Sequence, residues 1–134
     1  MKKAVSILLL AVLLALPIFL LTGCGKYSSH WKAVGCVQSH TSKKASLSFM
    51  SFEGTMVYAL KCKSDGAKLS YSGQLEAGNL KVYCDNGSAK TELFSLNAGE
   101  TVNAALEGLK KGTVYIIIET SGTCKEGSLK FELG

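Results

Sequence analysis

From residue 46 to residue 133 the chain is built of short runs in which apolar and polar residues alternate, each cut off by a glycine-bearing turn after about 8 to 12 residues. That rhythm suits strands and leaves no room for a long helix, whose apolar residues would recur every three or four positions. Met56, Tyr58, Leu60 and Cys62 share one face of such a run while Lys61 and Lys63 point away. Leu80, Val82 and Cys84 do the same against Lys81 and Asp85. Strands are expected at 47–52, 55–62, 68–75, 79–84, 91–96, 101–106, 113–120 and 128–133. Turns such as Ser64-Asp65-Gly66, Asp85-Asn86-Gly87 and Asn97-Ala98-Gly99 separate them. Residues 103–109 also fit a helical turn. Residues 114–118 are apolar on both faces and predict a central strand, whereas Leu129, Phe131 and Leu133 alternate with polar residues and predict one wet face. Roughly eight strands in about 110 residues can bury their faces as an all-β, two-sheet antiparallel sandwich.

The start of the chain is a different polymer. The mean hydropathy of +0.22 comes mostly from residues 4–23, where 16 of 20 are hydrophobic; from Cys24 onward the count is 46 of 111. Met1-Lys2-Lys3 supplies a positive start, and residues 4–21 carry no charge. This reads as an export signal. Leu21-Thr22-Gly23-Cys24 resembles the lipobox of bacterial lipoprotein precursors, in which small residues admit a peptidase and the Cys thiol accepts diacylglycerol. The resemblance implies cleavage between Gly23 and Cys24 and lipid attachment at Cys24. Each acyl methylene buried in a bilayer contributes about 0.8 kcal/mol. The expected location is the extracytoplasmic face of the cell membrane. Three parts follow: a signal-peptide helix at 1–23, the lipidated Cys and a flexible tether at 24–45, and the sandwich at 46–134.

The stretch from Ser51 to Gly87, with residues 112–133 near the end, resembles the small jelly-roll domain of lipoproteins from Gram-positive anaerobes, similar in layout to bacterial pre-peptidase C-terminal domains. The resemblance implies an accessory domain that binds a polymer, a protein or carbohydrate. Calcium-binding members of the pre-peptidase class carry clustered acids; this sequence has none, so that site is not carried over.

Export changes how the cysteines read. Beyond Cys24 there are four, Cys36, Cys62, Cys84 and Cys124, enough for two disulfides outside the cytoplasm. Cys62 and Cys84 both point inward at strand ends, so a bridge between them is one reading, with Cys36 and Cys124 as the second pair. Two buried free thiols are the other. No C-x-x-C redox or zinc spacing occurs.

Several functions are disfavoured. The formal charge of +5 consists entirely of lysines over acids, with no Arg, and the lysines are scattered, which argues against nucleic-acid readout. No G-x-S-x-G or phosphate loop is present. Asp65 and Asp85 sit in tight turns, where Asp serves local hydrogen bonding. His30, Cys36 and His40 have no metal-binding spacing and lack a fourth ligand. No catalytic residue, metal or cofactor is expected.

Aromatic residues offer a better handle. Tyr83 and Tyr115 lie opposite the apolar sets of their strands, and Trp31 is in the tether. Outward aromatics stack on sugars or anchor protein contacts. Lys61, Lys63 and Lys81 could face an anionic polymer or headgroups. The expected function is a membrane-anchored binding or adhesion module for carbohydrate, wall polymer or protein; the alternative is an assembly subunit of an envelope complex.

Overall fold

The computed structural model describes residues 27–87 and 89–134. The signal peptide, the Gly23–Cys24 cleavage site and the lipid-bearing Cys24 lie outside the described residues. The strands are β1 (His30–Val34), β2 (Val37–His40), β3 (Lys44–Cys62), β4 (Ala67–Ala77), β5 (Leu80–Asp85), β6 (Thr91–Leu96), β7 (Thr101–Leu109), β8 (Gly112–Thr120) and β9 (Cys124–Leu133). All described pairings are antiparallel.

The organising element is β3, at 19 residues long enough to serve both layers. Its first half pairs with β9 and its second half with β8. One layer runs β3 second half, β8, β5, β6; the other runs β3 first half, β9, β4, β7. With the halves of β3 counted separately, this is the eight-stranded order of a jelly roll. The layers face each other across the core: Tyr71 of β4 stacks on Phe94 of β6 at 5.1 Å, and Phe94 lies 6.3 Å from Phe131 of β9.

The passage between layers is written into side-chain parity. Along β3 the buried residues are Ala45, Leu47 and Phe49, then Phe52, Met56, Tyr58, Leu60 and Cys62, a change from odd to even. β9 changes at the same rung, from Cys124 to Gly127, Leu129, Phe131 and Leu133, with the Phe52↔Cys124 and Phe49↔Gly127 pairs on either side. Because both strands change together, the register continues unbroken while the pair bends. Glu126 takes up the bend with φ 51°, and Gly127 leaves room for Phe49, whose Cζ would lie 2.5 Å from an added Cβ.

β8 is central, as its two apolar faces predict, lying between β3 and β5. Val114, Ile116 and Ile118 join the inner core, while Ile117, 1 % exposed, is buried on the outer face.

Three expectations are corrected. Residues 30–40, assigned to the tether, form β1 and β2 along β3; nearly all their side chains are exposed, so backbone pairing rather than a buried face holds them. Residues 103–109 are strand, not a helical turn. The cysteines Cys36, Cys62, Cys84 and Cys124 are free thiols. Cys62 and Cys84 do share the inner face of one layer, but β8 runs between them, facing Gly112 and Ile116 respectively. Two strand spacings put them at least about 9 Å apart, beyond disulfide reach. β3 likewise separates Cys36, between β1 and β2, from Cys124 on β9. The buried thiols take local acceptors: Cys62 donates to Ser64 O at 3.0 Å and Cys124 to Asn79 O at 3.3 Å.

The connections β2–β3, β3–β4, β5–β6 and β7–β8 gather at one end of the sandwich. Backbone bonds such as Lys61 N to Ser42 O at 2.7 Å tie that end together. The connections β4–β5, β6–β7 and β8–β9 lie at the other end.

Candidate functional site

The alternation that buries Val82 and Cys84 in β5 turns Tyr83 outward, and the same logic in β8 turns Tyr115 and Glu119 outward. Register then sets the neighbours: Tyr83 faces Ile117, Asp85 faces Tyr115, and Lys81 faces Glu119. The two tyrosines proposed from sequence thus share the outer face of one layer, but their surroundings differ.

Tyr115 is covered. Tyr27 packs edge-on against it, with ring centroids 5.4 Å apart at 70°, and donates a hydrogen bond to Asp85 Oδ2 at 2.7 Å. Ser29 Oγ accepts from the Val57 N–H at 2.9 Å. Residues 27–29 therefore run beside β3, with the Tyr27 side chain reaching Tyr115 of β8 and Asp85 of β5. Burial pushes the Tyr27 hydroxyl up to about 12, the Asp85 carboxylate adding to the effect. Asp85 is 1 % exposed, and its Oδ1 accepts from the Gly87 N–H at 2.9 Å, the local turn bond expected of it. Asp65 bridges turns instead, accepting from Lys111 N–H at 2.8 Å.

Tyr83 is half-buried and lines an open hollow of about 500 Å³ with Lys81, Ser95, Asn97, Glu119 and Ser121. The Lys90 ammonium sits 4.4 Å from the Tyr83 ring centroid and pairs with Glu119. Lys81 lies 3.7 Å from Glu92, both well exposed, so this pair contributes little to stability. The hollow thus combines one aromatic wall with amide, hydroxyl, ammonium and carboxylate groups around its rim. Hollows on the outer face of the other layer, of about 540, 410 and 370 Å³, are lined by small polar groups such as Ser46, Ser72, Gln74 and Asn103. Their aromatic members, Phe49, Phe131 and Tyr71, belong to or pack on the inner core, so these hollows lack an outward ring.

Trp31 stands apart from both tyrosines, on β1 at the flank, 41 % exposed and 6.1 Å from Phe52. Sequence reasoning missed Tyr27; its only signal was an aromatic residue in a stretch without periodicity. His30 and His40 do not converge: His30 lies opposite Thr55, with its Nε2 3.3 Å from Ser28 Oγ. His40 Nε2 instead donates to Ala59 O at 3.0 Å, beside the Tyr58 ring. Lys61 and Lys63 are exposed near the β3–β4 connection. No group of three or more His, Cys, Asp or Glu suited to a metal ion occurs among the described residues.

No protein-family model matches the sequence, and no curated protein matches it. Among solved structures, the chain is similar to TmCBM61 in complex with β-1,4-galactotriose, with a TM-score of 0.48 and 14 % identity over 78 % of this chain and 87 % of that one. It is also similar to the carbohydrate-binding module CBM6cm-2 from Cellvibrio mixtus lichenase 5A in complex with cellotriose, with a TM-score of 0.40 and 12 % identity over 77 % and 88 %. A family 29 carbohydrate-binding module gives 0.38 and 18 % over 81 % and 77 %.

Proposed function

We propose that this chain is a membrane-anchored, extracytoplasmic, non-catalytic binding module that recognises carbohydrate through the hollow beside Tyr83. The observation that carries the reading is the composition of that hollow: an outward aromatic ring in a recess rimmed by Lys81, Ser95, Asn97, Glu119 and Ser121. A sugar ring presents an apolar C–H face and a fringe of hydroxyls. The first suits Tyr83, and the second suits amide, hydroxyl and charged partners. Most of the hollow is formed by regular strands, so it is largely preformed. The anchoring part of the proposal is supported by the Leu21-Thr22-Gly23-Cys24 sequence.

The test is a glycan array followed by titration calorimetry on the hits. A bound glycan should lose about tenfold or more in affinity in Tyr83→Ala, in line with the weight of aromatic anchors, and should keep its affinity in Tyr71→Phe, a control facing the core. Undiminished binding by Tyr83→Ala, or an array without a hit, rejects the reading. Trp31, Val34, Val37 and Met50, all exposed around β1 and β2, favour the second reading, an assembly subunit. Co-purification of a stoichiometric envelope partner that is lost in Val34→Ser/Val37→Ser would support it.

A further inference from the structure

The sandwich is electrically lopsided. At the end where the β2–β3, β3–β4 and β7–β8 connections meet, Lys43, Lys61, Lys63, Lys68, Lys110 and Lys111 are all exposed. The acids there are largely engaged. Asp65 accepts from the Lys111 backbone, Asp85 is buried against Tyr27, and Glu132 pairs with Lys44 at 3.1 Å; Glu107 remains exposed nearby. At the opposite end Glu76, Glu100 and Glu126 are exposed, against Lys125 and a Lys32 that lies 3.9 Å from Glu53.

The N-terminal segment enters at the basic end. Tyr27 is fastened near there to Asp85, the last residue of β5, and Tyr115, the fourth residue of β8. Cys24 precedes Tyr27 by three residues, a stretch that spans at most about 11 Å, and Lys26 within it adds a cation. We propose that the lysine-rich end of the sandwich docks on anionic lipid headgroups of the bilayer that holds Cys24, with the acidic end pointing away. The inference rests on the lipid-anchor reading above.

The physical reason is proximity. A free tether through residue 45 would let the domain tumble far from the surface, whereas the Tyr27 fastening leaves two residues, Gly25 and Lys26, between the acylated Cys24 and the folded domain. Tyr27 is then held within about 11 Å of Cys24, which brings the basic end to a distance from the headgroups comparable with the Debye length of about 8 Å. At that range lysines are drawn to an anionic leaflet. A bilayer is favoured over a soluble polyanion because the anchor delivers this end to it. The Tyr83 hollow fits the same orientation: Asn97 and Ser121 on its rim belong to connections at the far end, so it lies toward the end away from the membrane.

The test uses the mature acylated chain on vesicles of phosphatidylcholine, with or without phosphatidylglycerol, read by amide hydrogen exchange. Residues 63–66 and 109–112 should exchange roughly tenfold more slowly on phosphatidylglycerol vesicles alone, with 97–100 unchanged. High salt, and a Lys61→Glu/Lys63→Glu/Lys110→Glu/Lys111→Glu variant, should abolish the difference; the salt arm stands even if the variant misfolds. Equal exchange on both vesicles overturns the proposal, as does equal slowing by soluble polyglutamate. Attachment to phosphatidylcholine vesicles reads the anchor separately. A mature chain left in the supernatant refutes the anchor, and salt-sensitive sedimentation with phosphatidylglycerol vesicles then still decides for or against the basic end.

Discussion

The Tyr27 hydroxyl donates a 2.7 Å hydrogen bond to Oδ2 of Asp85, 58 residues further along the chain. Together with the edge-on packing on Tyr115, it fastens residue 27, ahead of β1, to the outer face of the sandwich. It gives a buried carboxylate a neutral donor. In Tyr27→Phe the ring contact with Tyr115 remains but this hydrogen bond to Asp85 is lost. Urea denaturation should show a loss of about 1–3 kcal/mol, the usual penalty for depriving a buried acceptor. A midpoint equal to that of the parent protein would mean that the bond does not hold the segment down.

Alkaline pH should weaken the fold over a defined window. Burial first, and then the Asp85 charge, push the Cys84 thiol up from 9.0 to about 11; the Tyr27 and Tyr58 hydroxyls are pushed from 10.0 to about 12, mainly by burial. In the unfolded chain these groups lose their protons at the lower values, so the unfolded state binds fewer protons and stability falls as pH rises. The contribution is complete below about pH 9 and lost progressively up to about 12. Thermal melts across that range should show a falling midpoint, with a shallower fall in Cys84→Ala. A midpoint that stays flat from pH 9 to 12 contradicts this.

Thiol chemistry provides an independent reading of the core. Under denaturing, non-reducing conditions Cys36, Cys62, Cys84 and Cys124 should all titrate as free thiols. In the native state Cys36, partly exposed, should react first and the three buried thiols slowly. Two or fewer thiols in denaturant would reveal a bridge and refute the arrangement in which β8 and β3 keep the pairs apart.

At the bend, Gly127→Ala should cost about 1–3 kcal/mol by overpacking against Phe49, whose Cζ would sit 2.5 Å from the new methyl. Trimming Phe49 to Leu should recover part of that loss when the two changes are combined, and denaturation of the single and double variants measures the coupling. Strictly additive losses would show that the two residues do not share the constraint.

The strands of the sandwich proper were legible because one or both faces of each are buried. Alternation marked β4, β5, β6 and β8 nearly to their ends, and the last six residues of β9. β1 and β2 were not legible, since strands exposed on almost every side chain carry no period and owe their existence to the free side of β3. β7 was legible over residues 101–106 alone: it is exposed at all but two positions, which left a helical turn at 103–109 as a competing reading. Of the site, the outward direction of Tyr83 and Tyr115 could be read from parity. That one lines a hollow and the other lies under Tyr27 could not.

What the sequence determined by itself is the two-residue period, and with it which side of each strand meets the core. Only the tertiary structure decided which strands adjoin. Cys62 and Cys84 share a face and are still separated by β8, because parity specifies a side-chain direction while hydrogen-bonded pairing between distant segments specifies the neighbour. The parity change shared by Phe49, Phe52, Gly127 and Cys124 marks where β3 leaves one layer for the other, and it has meaning only once both strands are paired.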